Sequence, residues 1–277
     1  MRDSLVHELS NQMGNYSART RVVEVYFNTG GGVIGEDDYL GVYVFVERIK
    51  QGNDRVDVAQ LEPTDATEPD ISGGYILKID RGTATIPATL SRDFVPVDPE
   101  DAELTPAQRT WITNYIAQFE AALSGPNFAD PLVGYEKFID VDAWIDYHIM
   151  TELTYNVDEW YLSTYLSKDR GGKLTLGPFW DFDRSLGNTD QAGGAGTTGW
   201  WSDALVSFFA AYNNQPPEQV VEYPWFRRLF QDPNFYSRYV DRRTELRRTA
   251  LSEANIFATI DQLAAENLTP EYITIDI

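Results

Sequence analysis

Residues 156–188, NVDEWYLSTYLSKDRGGKLTLGPFWDFDRSLGN, hold the acids best suited to chemistry in this chain. Asp158 follows the end of a helical pattern, and Asp181 and Asp183 flank Phe182 just after a short apolar run. Carboxylates that converge on one spot can hold a hard divalent cation and the phosphates it carries. The segments between them supply a means of convergence. WYLSTYLS and KLTLGPFW are rich in aromatic and β-branched residues and predict two β-strands joined by a turn at residues 169–172. An antiparallel hairpin of that length returns the chain to its start, with Trp160 roughly opposite Phe179 or Trp180. Asp158 and Asp181 are therefore expected to emerge at the same edge.

Composition narrows the alternatives. The chain has 277 residues, 43% of them apolar and 13% aromatic, enough for a sizeable core in one large domain or two lobes. With no cysteine and two histidines, His7 and His148, disulfides and thiolate chemistry are excluded, and neither a histidine-built zinc site nor a Ser-His-Asp triad is expected. A net charge of −21 argues against nucleic acid, whose phosphates need basic surface, and predicts a solvated acidic exterior. The chain lacks a run of about 18 apolar residues, and MRDSLVHELS lacks the apolar segment of a signal peptide. Nothing in it is expected to span a membrane or direct export.

The elements that must position the acids can be followed along the chain. Residues 3–13 have helical spacing and stop at Gly14. RVVEVYFN and YLGVYVFVERI predict an antiparallel pair, and GGYILKID a further strand. GGG at 30–32 lacks the GK[ST] ending of a phosphate loop. Glu47, near the end of the second strand, needs a cationic partner, and Lys78 is the candidate. Such a pair is either an ordinary cross-strand contact or one that presents the ammonium to a phosphate. Residues 81–105 are rich in Pro, Asp and Thr and predict a connection between lobes. Thr105 and Pro106 then open a helix with Trp111, Tyr115, Ile116 and Phe119 on one stripe. A second helix, about 140–153, places His148 among core positions, and its DVDAWID lacks the glycine and terminal glutamate of a calcium loop. Residues 190–203 predict a glycine-rich loop, either a lid or a variable surface segment. Residues 225–249 predict helices broken at Asp232-Pro233, whose seven arginines are expected mostly to pair with carboxylates of the same body.

YLGVYVFVERIK, GGYILKID, ELTYNVDEWYLSTYLSKD, KLTLGPFWDFDRSLGN and WFRRLFQDPNF, in that order, resemble the CotH kinase family, named for spore-coat protein H. The resemblance covers nearly the whole chain. It implies an atypical protein-kinase-like fold, ATP with Mg²⁺ or Mn²⁺, and transfer of the γ-phosphoryl group to Ser or Thr of a protein, often at spore coats or cell surfaces. It also implies that Asp158 is the catalytic aspartate, that Asp181 is the metal-binding counterpart of the kinase DFG acid with Asp183 as its helper, and that Asn156 positions the loop or contacts the nucleotide. Lys78 and Glu47 would serve the nucleotide. Ser163 stands where many members carry an asparagine that could bind metal. Further small-lobe strands are expected ahead of MRDSLVHELS.

The expected architecture is therefore α+β and kinase-like, with a β-rich N-terminal lobe over 1–95 and a mainly helical C-terminal lobe over 96–277. Two other classes stay open at this point. One is a non-catalytic surface or coat protein that keeps the fold without turnover. The other is a carbohydrate-active enzyme using paired acids beside Trp180, Trp200 and Trp201, since acids and aromatic platforms also suit sugars.

Overall fold

The computed structural model describes residues 1–189, 198–220 and 224–266, and the backbone of 271–276. Helix α1 (Arg2–Gln12) stops before Gly14, whose φ of +94° is a conformation that glycine adopts without side-chain strain. Strands β1 (Thr20–Asn28) and β2 (Tyr39–Val46) pair antiparallel, as their alternation predicts. A strand past the helical region, β7 (Glu271–Asp276), lies parallel on the other side of β1, giving the order β2-β1-β7.

A second sheet holds β3 (Tyr75–Ile79), β4 (Val95–Asp98), β5 (Thr164–Lys168) and β6 (Leu174–Leu176) in the order β4-β3-β5-β6, all neighbours antiparallel. This sheet crosses the boundary expected at 95/96. β3 is apolar on both faces: Tyr75, Leu77 and Ile79 join the main core, and Ile76 joins a smaller cluster with Ile49, Val56, Val58 and Tyr165. A strand buried on both faces gains most as an interior strand, and β5 gives it its second neighbour. Gly73 makes the fit possible, because a Cβ there would lie 1.9 Å from the amide nitrogen of Arg170 in the hairpin turn.

The hairpin itself is shorter than expected. Its ladder runs from Lys168↔Leu174 to Leu166↔Leu176, and β6 then stops before Gly177 and Pro178, a residue with no N–H for the ladder. Trp160 consequently does not face Phe179 or Trp180 in a ladder. It turns into the core, fully buried, 4.8 Å from the Phe226 ring and 5.4 Å from Tyr147.

Local chemistry sets the helix starts. Thr105 and Gln108 form a reciprocal capping box ahead of α2 (Pro106–Ser124), and the Asp140 carboxylate accepts the first amides of α3 (Val141–Thr154). Asp232 caps α6 (Pro233–Leu246), and the expected break separates it from the short α5 (Phe226–Leu229); α7 (Glu253–Glu266) follows. Helix α4 (Trp201–Tyr212) corrects the loop expected over 190–203. Its first amides, from Trp201 and Ser202, donate to the Glu152 carboxylate of α3 at 2.7 and 2.9 Å, so the cap comes from another helix and has no local signature. Residues 190–197 of the segment read as a lid or surface loop lie outside the described residues.

His148 is the core histidine that its spacing predicts. It is 1% exposed, with its ring 4.5 Å from Phe226 and 5.1 Å from Phe230, and burial lowers its pKa to about 3, so it is neutral. Of the C-terminal arginines, Arg238 reaches Asp142 and Arg242 forks onto Asp146 with bonds of 2.7 and 2.8 Å. Arg228 instead caps carbonyls of Leu123 and Gly125. No helix among the described residues is long and apolar enough to cross a membrane.

Candidate active site

α3 ends at Tyr155 in the left-handed region, φ 53°, and the chain turns sharply into Asn156, which is fully buried. The Asn156 amide joins the two ends of the hairpin. Its Oδ1 accepts the Asp158 N–H at 3.3 Å, while its Nδ2 donates to the Asp181 carbonyl at 3.3 Å and to Glu159 Oε2 at 3.0 Å. The expected convergence of the two acid-bearing segments is thus present, although a side-chain clamp rather than a long ladder achieves it.

The Asp158 carboxylate accepts from Tyr161 Oη at 2.9 Å and from Arg184 Nη1 at 3.1 and 3.2 Å. Asp181, at φ 64°, accepts from Ser163 Oγ at 3.4 Å and is an exposed residue. Its pKa is raised to about 6, first because the protein side of its carboxyl is partly desolvated, then by the negative charges of Asp183, Asp3 and Asp158. Four carboxylates therefore share one region, and Arg184 answers only part of their charge. Asp3 is the acid that sequence reasoning missed. It comes from α1, where its Oδ1 accepts the Phe182 N–H at 2.8 Å; burial pushes its pKa up, but His7 and that amide hold it below the usual value. An acid in the first turn of a helix is commonplace, so no local pattern marks it. Arg184 lay beside the recognised acids, yet its partner could not be read from spacing.

Glu159 supports the clamp from beneath. It is fully buried and takes hydrogen bonds from Tyr147, Thr164 and Asn156. Burial pushes its carboxyl up to about 8 against the lowering effect of those bonds.

The expected Glu47–Lys78 pair is not formed. Glu47 bonds Arg19 and Arg55, which its own end of the sheet brings to it, whereas Lys78 bonds Asp80 Oδ2 at 3.0 Å. Lys78 faces Tyr165 of β5 across the ladder, with its Nζ 5.9 Å from that ring, and borders a cavity shared with Trp180, Arg48 and Ile49. Asp181 also acts electrostatically on Tyr165, so Lys78 and Asp181 approach the same tyrosine. The aromatic platform of a sugar site is not assembled, because Trp201 is fully buried in the core and only Trp200 is widely exposed.

Among the described residues, no three acids or histidines form a ready-made cage. Mg²⁺ and Mn²⁺ at phosphate sites need fewer protein ligands, one or two carboxylates with phosphate and water completing the shell. Asp181 and Asp183 are close enough to hydrogen-bond, and the raised pKa of Asp181 marks charge that a cation would neutralise. The residues fit such an ion.

A family model described as CotH kinase protein matches residues 1–273. A search of curated proteins found no match. The match extends from α1 into β7 and includes both sheets, the Asn156 clamp and the acid cluster, on an α+β, kinase-like framework. The chain belongs to the CotH kinase family.

Proposed function

We propose that this chain is an ATP- and divalent-metal-dependent protein kinase that transfers the γ-phosphoryl group to Ser or Thr of a surface or coat protein. The observation that carries the reading is the joining of Asp158 and Asp181 through Asn156, with Trp180, the residue before Asp181, lining the cavity that Lys78 borders. In this reading Asp158 orients the acceptor hydroxyl and takes its proton as the new O–P bond forms and the bond to ADP breaks. Its contacts with Tyr161 and Arg184 leave acceptor capacity on the carboxylate. Asp181, aided by Asp183, holds Mg²⁺ or Mn²⁺, which when bound draws charge from the phosphates. Lys78 supplies positive charge to the phosphates, and Trp180 and Tyr165 give the cavity apolar walls. Glu47, held by two arginines, has no part in presenting Lys78.

The Arg184 contact gives one alternative a specific basis. If Arg184 keeps Asp158 engaged, the protein binds nucleotide without turnover and serves as a structural surface or coat component. Two measurements separate the readings. Thermal shift with ATP plus Mn²⁺, against Mn²⁺ alone, should add about 2.7 kcal/mol of stability at a hundredfold excess over Kd. Incubation with γ-labelled ATP and a Ser/Thr-rich protein should then move label to hydroxyl groups. Stabilisation without transfer selects the non-catalytic protein, and absence of both overturns the nucleotide site.

A further inference from the structure

Helix α6 ends on two arginines that the fold leaves without an acid. Arg238 and Arg242 of the same helix hold Asp142 and Asp146, yet Arg243 and Arg247 make no ion pair or side-chain hydrogen bond among the described residues, in a chain whose acidic residues outnumber the basic ones 43 to 22. They lie one turn apart, the Arg247 N–H donating to the Arg243 carbonyl at 3.1 Å, and so share a helix face. Both border a cavity of about 550 Å³, the size of a ligand pocket, whose walls include Tyr155 and Leu153 at the end of α3, Trp200 and Leu251. The carboxylate in that lining, Glu152, does not answer the arginines, because its two oxygens accept the Trp201 and Ser202 amides. Asp203 acts on Glu152 electrostatically and makes no ion pair with either arginine. Basic residues in a last turn complement the helix dipole, but that role needs neither a cavity nor an aromatic wall.

We propose that this cavity takes a phosphorylated serine or threonine of a protein segment, with the phosphate between Arg243 and Arg247 and apolar neighbours of the phosphorylated residue against Trp200 and Leu251. Guanidinium groups match phosphate through paired N–H donors. A phosphate monoester carries about two negative charges at neutral pH, which two arginines answer, whereas a single carboxylate would answer one. A segment bearing many carboxylates would be repelled by the net charge of −21, so the anion recognised has to be concentrated at one point. Tyr155 directly precedes Asn156 of the clamp, so a segment held here lies at the end of α3 that delivers the acid site. The source of the phosphate rests on the kinase reading: it is the product of the chain's own reaction, and a substrate phosphorylated once stays held while a second hydroxyl reaches Asp158.

Fluorescence anisotropy of a short, otherwise uncharged Ser/Thr peptide carrying one phosphoserine, titrated with the full chain without ATP or metal, tests the cavity separately from the kinase reading. The phosphopeptide should bind about tenfold more tightly, or better, than the same peptide with serine or glutamate at that position. Arg243→Gln and Arg247→Gln should each weaken it by about tenfold while leaving the thermal stabilisation by ATP plus Mn²⁺ intact. Asp181→Asn should leave phosphopeptide binding intact. Equal binding of the three peptides, or arginine variants that bind like wild type, overturns the proposal, and the peptide comparison on the wild-type chain decides it even if an arginine variant fails to fold. Displacement of the phosphopeptide by metal-free ATP at equal concentration would assign the cavity to a nucleotide and overturn it as well. The expected peptide ranking and arginine dependence in a chain that transfers no label would uphold the cavity and remove the kinase reading alone.

Discussion

Asp181 carries electrostatic demand that the protein alone does not meet, since partial burial and then three other carboxylates raise its pKa, while Ser163 Oγ donates to it only at 3.4 Å. Such a residue is costly as scaffold and useful as a ligand. Asp181→Asn should therefore abolish the stabilisation by ATP plus Mn²⁺ while leaving the ligand-free protein as stable as wild type or slightly more so. Thermal shift on both proteins checks this. A nucleotide response that survives the substitution moves the metal elsewhere. Asn156 belongs at the same scale, because three bonds from one amide tie Asp158, Asp181 and Glu159 together.

At the scale of elements, α3 links the core to the site: it carries His148 inside and delivers Asn156 at its end. His148 has a folded pKa of about 3 against 6.5 for the free side chain. In that window the unfolded chain binds more protons, so stability falls as pH drops below 6.5 and is fully present above it. From pH 6.5 to 5 the loss from this histidine should be about 2 kcal/mol. His148→Gln should remove that increment from the acid dependence. Urea unfolding at pH 7 and pH 5 measures it, and equal pH sensitivity in both proteins would show that His148 protonates without cost.

Across the whole molecule, Arg242 is a tie among α1, α3 and α6. It forks onto Asp146, whose side chain is 6% exposed, and donates to the Met13 carbonyl at 3.0 Å. Arg242→Met leaves a buried carboxylate supported by Asn15 Nδ2 and should cost about 2–3 kcal/mol. Arg238→Met removes the bond to Asp142, 78% exposed, and a longer contact with Glu136 at 3.7 Å, and should cost less than about 1 kcal/mol. Chemical denaturation of the two variants compares them directly. Equal losses would mean that burial of the partner does not set the energy.

The sequence by itself determined the features built from neighbours along the chain. Capping at Thr105, Asp140 and Asp232, the alternation of β1, β2 and β3, the stop at Gly14 and the order of Asp158, Asp181 and Asp183 all follow from local chemistry acting within a few residues. The tertiary structure decided what distant segments brought together. Glu47 went to Arg19 and Arg55, Arg184 came to Asp158, Asp3 joined acids far along the chain, and Glu152 opened α4 at Trp201. A charged side chain has many partners of nearly equal energy, so composition and periodicity do not choose among them. Packing makes the choice: the burial of β3 on both faces brings the hairpin to it, and the burial of Trp160 draws the intervening chain inward. Those two apolar demands bring the acid-bearing segments near one another, and the Asn156 clamp and the Asp3 bond to the Phe182 N–H fix them there.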